Sequence, residues 1–223
     1  MADHRCDGLT SAIYRIFGKP FSEEGKKLFG VPFAQFLKLN SEFRYHYRID
    51  KNQMIASRIA GGVIWSYGNA TTAPYTEQFY IGGANSVRAF SARSIGPGGY
   101  PPETDRKYTY INHVGDIRIE ANIEYRFRMI ADLHGAVFLD AGNVWLMRKD
   151  ENRPNGEFTL KNFPKQIALG TGFGLRYDLD FLVFRLDLGI GLHDPYDTGK
   201  SGYYNIPKFK DSMALHFAIG YPF

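Results

Sequence analysis

Residues 116–129 read DIRIEANIEYRFRM. Asp116, Arg118, Glu120, Asn122, Glu124, Arg126 and Arg128 alternate without a fault with Ile117, Ile119, Ala121, Ile123, Tyr125, Phe127 and Met129. Side chains of an extended chain point alternately to opposite faces, so this stretch is a long strand with one apolar and one strongly charged face. It is longer than the ~9–11 residues that a tilted strand needs to cross the hydrocarbon core of a bilayer.

The same pattern recurs outward from it. Residues 33–49 set Phe43, Tyr45, Tyr47 and Ile49 against Lys38, Glu42, Arg44, His46 and Arg48. Further strands are predicted over 52–65, 133–145, 166–178, 181–192 and 211–223, with a weaker eighth over 9–17. In the stretch 211–223, Leu215, Phe217, Ile219, Tyr221 and Phe223 share one face. The turns at 50–51, 130–132 and 179–180 are tight, whereas the connections 18–32, 66–115, 146–165 and 193–210 are long. Short turns at one end and long loops at the other are the signature of a transmembrane β-barrel. The expected fold is therefore all-β: an antiparallel transmembrane barrel built as a single domain over 1–223, with residues 67–114 as its longest loop.

Composition agrees. The 223 residues are 44% hydrophobic and 16% aromatic, with a mean hydropathy of −0.31. No apolar run approaches the ~18–20 residues of a membrane-spanning helix. Aromatic-rich, half-buried strands account for the Phe and Tyr content. The net charge of +4 is spread over interspersed acids and bases; with no basic stripe, a nucleic-acid partner is not expected. The lone Cys6 offers neither an internal disulfide nor a metal cluster. No apolar h-region of a signal peptide is read at the front.

Motifs that imitate catalysis fail on context. Gly170, Gly172 and Gly174 would need a strand-to-helix turn to cradle a phosphate, but they share one face of a strand, where small residues relieve crowding. Gly199-Lys200-Ser201 lacks the leading glycine of a phosphate loop, since Asp194 stands there. No nucleophile elbow or zinc-protease helix is present. His134 and Asp140 face one side of a strand, which more often means a solvated wall than a metal or a base. Neither an enzyme nor a cofactor is expected.

The long loop contains QFYIGGANSVRAFSARSIGPGGY at 78–100, in which Arg88 sits among apolar Val87, Ala89 and Phe90. Two pairings are open. Arg88 could fold into the lumen and bind Glu124 and Asp140 through charge-assisted bonds, or those carboxylates could pair with strand arginines such as Arg126 or Arg176.

Gly82-Gly83, Ser86-Val87-Arg88-Ala89-Phe90 and Gly96-Pro97-Gly98 resemble the inward-folded loop motif of the BamA/TamA superfamily of outer-membrane protein assembly factors (bacterial surface antigen family). Residues 120–127 and 138–145 resemble the two strands that follow it. Residues 184–188, His193-Asp194-Pro195 and Gly220-Tyr221-Pro222-Phe223 look most like the TamL type of the Bacteroidetes. The resemblance implies a chain in the bacterial outer membrane, in contact with its lipid, that forms the C-terminal seven or eight strands of a sixteen-strand barrel. It implies partners as well: the N-terminal half of the barrel with its POTRA domains, and client outer-membrane proteins whose insertion or export is assisted. It implies a salt bridge from Arg88 to Glu124 and Asp140, and glycine where this chain has Ala89. The residues 215–223 named above match the C-terminal signal of barrel proteins. An eight-strand barrel is just filled by its own side chains and has no space for so long a loop, so the chain reads as part of a larger barrel. The alternative is a passive small barrel or pore without assembly activity.

Overall fold

The computed structural model describes residues 27–28, 31–32, 34–68, 70–102, 113–179 and 181–223. A two-residue hairpin, β1 (Lys27–Leu28) with β2 (Val31–Pro32), precedes seven longer strands. These are β3 (Gln35–Arg48), β4 (Gln53–Tyr67), β5 (Ile117–Ile130), β6 (Leu133–Trp145), β7 (Ala168–Asp178), β8 (Val183–His193) and β9 (Met213–Ile219). They form one antiparallel sheet in sequence order, β3 to β9. The strand expected over 9–17 lies outside the described residues.

Alternation decides which side of each strand is buried. In β5, Glu120, Asn122, Glu124 and Arg126 are buried, whereas Ala121, Ile123 and Tyr125 are exposed. The buried side is thus the charged one, because this face lines an interior that the loop fills. The apolar side, with Leu37, Leu39, Phe43, Ile59, Trp65, Ile123, Val137, Leu139, Phe173, Leu215 and Phe217, is left open. That is the lipid-facing surface of a membrane barrel wall, where every backbone group inside the sheet is paired with a neighbouring strand. Among the described residues no helix is long and apolar enough to cross a membrane.

Two strand boundaries differ from the expectation for identifiable reasons. The stretch expected to open at residue 166 starts at Ala168, because Phe163–Gln166 closes into a short 3-10 turn with proline near its start. The final strand, expected to run to Phe223, ends at Ile219. Gly220 takes a positive φ of 85° and Pro222 has no N–H to give a ladder.

The apolar core lies inside the sheet's concavity, at the end with the long loops. Ile64, Val144 and Ala168 of the wall meet Ala73, Phe79, Ile81, Val87 and Ile95 of the loop, with Phe36 and Phe90 against them. The loop's flanks are pinned by a reciprocal bridge, in which Phe79 and Gly115 exchange both backbone hydrogen bonds at 2.9 Å.

Ile123 stands in the middle of β5 on the open apolar face, so Ile123→Arg places a guanidinium in hydrocarbon. The expected loss is ~2–4 kcal/mol of folding free energy in bilayers, read from denaturant titration of the full-length protein. A variant as stable as the parent would reverse the assignment of faces.

Candidate functional site

The loop descends into the sheet and presents Arg88 to β5 and β6. The backbone N–H of Arg88 donates to Asp140 Oδ2 at 3.0 Å, its Nε to the same oxygen at 2.8 Å, and its Nη2 to Oδ1 at 2.9 Å. Nη1 donates to Glu124 Oε2. All three side chains are fully buried. The fork of a guanidinium can serve two carboxylates at once, a geometry that a lysine cannot supply. Burial alone would lower the pKa of Arg88; hydrogen bonds and charges from Asp140 and Glu124 outweigh this and hold it charged, above the ordinary arginine value.

The two pairings left open in the sequence coexist. Besides Arg88, Glu124 accepts from Arg126 Nε at 2.7 Å and from Arg176 Nη2 at 3.2 Å. Arg176 also donates to Asp187 Oδ1 at 2.5 Å, and Arg185 Nε lies 3.5 Å from Asp187 Oδ2. On the other side Arg58 pairs with Glu120 and donates to Asn122 Oδ1 at 2.8 and 3.0 Å. Asn122 in turn donates to Asp140 at 2.8 Å and to the Ser86 carbonyl at 3.0 Å. Five arginines and four carboxylates thus form one buried network across β4–β8 and the loop.

The remaining motif residues divide by task. Gly82 and Gly83 take φ of 96° and 89°, and a Cβ on Gly82 would run into the Ser91 carbonyl, so the turn into the arginine segment requires glycine there. Val87 is buried in the apolar core and Phe90 packs against it. The Gly96-Pro97-Gly98 segment rests on the far end of β6, where Gly98 N donates to Val144 O at 2.7 Å and Asn143 Nδ2 to Gly98 O at 2.8 Å. Ala89 is not among the residues with positive φ, which outside glycine and among the described residues are Arg93, Ala131 and Asn155. Its methyl occupies the space beside Gly170, where a Cβ on Gly170 would collide with it. A Cβ on Gly189 would likewise strike the Arg88 carbonyl and the Ala89 backbone. Gly170 of β7 and Gly189 of β8 are the bed on which the loop lies.

Several participants were not singled out in the sequence: Arg58, Asn122, Asp187, Asn85, His216 and Phe138. Arg185 Nη2 donates to Asn85 Oδ1 at 2.5 Å, and His216 Nε2 donates to the Arg88 carbonyl at 2.9 Å. The Arg88 guanidinium lies 3.6 Å from the centre of the Phe138 ring. Alternation put Asn122 on the charged face of its strand; only the loop's position shows which inward side chains it meets. His134 and Asp140 do not form a pair, since Asp140 is taken up by Arg88 and Asn122. No group of metal-ligating side chains occurs among the described residues.

The expected terminal signal is split. Leu215, Phe217, Ile219 and Tyr221 are exposed, but Phe223 is buried and its ring faces inward, against the arginines. The turn at Gly220 ends the strand's alternation, and the electron-rich ring face is drawn to a cluster with more guanidinium than carboxylate.

The Omp85 superfamily domain matches residues 28–223. The chain is 28% identical over 204 residues to the outer membrane protein assembly factor BamA of Nitratidesulfovibrio vulgaris, covering 89% of this chain and 22% of that protein. It is 29% identical over 89 residues to the protein of the same name from Neisseria meningitidis serogroup B, covering 38% of this chain and 11% of that one. The crystal structure of BamA from Haemophilus ducreyi lacking POTRA domains 1-3 shares the fold, with a TM-score of 0.58 at 16% identity over 83% of this chain and 35% of that one. The chain therefore spans about a fifth of the length of the first relative.

Because the loop lies on glycine, Gly189→Val forces its backbone away from β8 without altering a charge. Overpacking of this kind costs ~1–3 kcal/mol, and limited proteolysis of the full-length protein is expected to cut within 82–98 several times faster, by about fivefold or more. Gly61→Ala, whose Cβ has only the Arg118 carbonyl nearby at 3.8 Å, is the control expected to leave the loop protected.

Proposed function

The chain belongs to the Omp85 superfamily and is an outer-membrane protein, and from that premise we propose that it supplies the C-terminal part of the barrel of a non-enzymatic outer-membrane assembly or translocation factor. The observation that carries the reading is the loop held inside the sheet by Arg88. A passive pore is served by an open lumen, whereas this one is occupied by a segment fixed through fully buried ion pairs. On this reading Arg88 is the tether, and Glu124 and Asp140 are its anchors. The loop keeps the wall rigid around a seam at the sheet's edge, where a client strand adds by β-augmentation. Clients are outer-membrane proteins, and the partners within the same protein are the first half of the barrel and POTRA domains. The residues 184–188, 193–195 and 220–223 support a finer assignment to the TamL type.

Proteoliposomes containing the full-length protein, compared with empty vesicles, test the reading by the rate at which an unfolded barrel client becomes protease-resistant. The wild type is expected to accelerate client insertion; no acceleration sinks the assembly role. Arg88→Ala is expected to insert into the vesicles yet lose that acceleration. Removing one partner of a buried pair costs ~3–5 kcal/mol, which shifts loop docking about a hundredfold or more. An Arg88→Ala protein that inserts and assembles clients at the wild-type rate leaves the assembly role standing and removes the tether from it.

A further inference from the structure

The segment after β9 does not behave as a strand. The Gly220 amide still donates to the Val183 carbonyl at 2.8 Å. The chain then turns inward and buries Pro222 and Phe223. The Phe223 ring lies 5.3 Å from the guanidinium carbon of Arg58, 5.6 Å from that of Arg126 and 5.9 Å from that of Arg88. Arg126 also donates to the Phe223 carbonyl at 3.3 Å and stands 4.6 Å over the Tyr221 ring. The arginines that surround the ring are therefore members of the network that fastens the loop.

A second link joins the same two segments. His216 of β9 donates to the Arg88 carbonyl at 2.9 Å, while Asp187, its register partner on β8, lies 3.9 Å from Arg88 Nη1. With only seven residues, β9 is the shortest strand of the sheet, against eleven for β8 and fourteen for β3. A short ladder at an edge gains little from its own hydrogen bonds, so contacts beyond it weigh heavily in whether it stays paired.

We propose that Phe223 is a latch coupling the edge strand β9 to the lumen loop. Because one arginine cluster holds both, loosening either segment loosens the other. Arg88 has the Phe138 ring at 3.6 Å and the Phe223 ring at 5.9 Å. Withdrawing Phe223 removes an aromatic partner from Arg88, Arg58 and Arg126 together. Freeing the loop scatters the guanidinium groups that hold Phe223. The use of this coupling in client handling rests on the assembly reading above; the coupling itself does not.

Coupling free energy is reciprocal, which gives the test two arms. Hydrogen exchange by mass spectrometry is measured on the full-length protein in nanodiscs. Phe223→Ala is expected to raise exchange of loop amides 82–92, and Arg88→Ala to raise exchange of β9 amides 213–219, each by about threefold to thirtyfold for a desolvated cation–π contact. Phe223→Leu, which keeps bulk but no π face, is expected to act like Phe223→Ala, and Phe223→Tyr to keep wild-type exchange. Loop exchange in Phe223→Leu equal to the wild type overturns the latch, as does β9 exchange unchanged by Arg88→Ala. If Phe223→Ala does not insert, the Arg88→Ala and Phe223→Leu arms decide. A wild-type protein that fails to accelerate client insertion leaves the exchange result intact, and absent reciprocity leaves the assembly role intact.

Discussion

One guanidinium holds the interior together. Arg88 comes from a loop, Glu124 from β5 and Asp140 from β6, and the three meet with no access to water. The two carboxylates are not register partners, because Glu124 stands opposite Phe138 and Asp140 opposite Asn122. The fork of Arg88 therefore spans a diagonal of the sheet. Its backbone N–H adds a third bond to Asp140, so the main chain is fixed along with the side chain. Displacing the loop by a few ångströms would leave buried Asp140 with Asn122 as its remaining side-chain donor and take one of three guanidinium partners from Glu124, a costly loss for buried carboxylates.

A buried ion pair is weak evidence for stability, since desolvation can exceed the Coulombic gain. What this network supplies is position. Arg126 and Arg176 converge on Glu124, and Arg58 reaches Asn122, Glu120 and the Asn85 carbonyl. The charges have one arrangement that satisfies most of them. The apolar contacts of Val87, Ile81 and Ile95 above the network are less directional. Those contacts hold the loop in the lumen, and the charges set its place there. The balance of five arginines to four carboxylates leaves a positive excess. The Phe223 ring and main-chain oxygen meet that excess, and Arg185 retains buried nitrogens, Nε and Nη1, without hydrogen-bond partners.

The strands were legible because their signal is local. Residues 133–145 match β6 end to end, and 116–129 miss β5 by one residue at each end, since alternation of charge and apolarity repeats every two positions. The ends of β7 and β9 were not legible from alternation: at the first a 3-10 turn, and at the second Gly220, interrupt a pattern that continues in letters but not in backbone. Within the site, Arg88, Glu124 and Asp140 were nameable from the loop motif. Arg58, Asn85 and His216 were not, because nothing in their spacing says which part of the loop lies over them. The glycines at 170, 172 and 174 were read as relief for a crowded sheet. Their neighbours are more specific than that: Gly170 makes room for Ala89, while Gly172 sits under Phe138. Ala89 itself needs no positive φ, so the methyl is a matter of space, settled by a glycine on another strand.

The two edges of the sheet are unequal, and that inequality bears on which of them opens. Among the described residues the outer edge of β3, fourteen residues long, has no strand partner. Its inward face carries Lys38, held by Glu77 of the loop, and then Glu42, Arg44 and Arg48, exposed where the loop does not reach. Free backbone groups are costly in hydrocarbon, so a fourteen-residue edge costs more to leave open than a seven-residue one. At β9 the edge is half that length, and its far end is held by side chains instead of a ladder. A ladder of backbone bonds in lipid is broken at several kcal/mol for each group left unpaired, whereas releasing one ring from the arginines costs about 2 kcal/mol. An edge secured in the second way is released at less cost than a fourteen-residue ladder, which is why the assembly role proposed above sets its seam at β9.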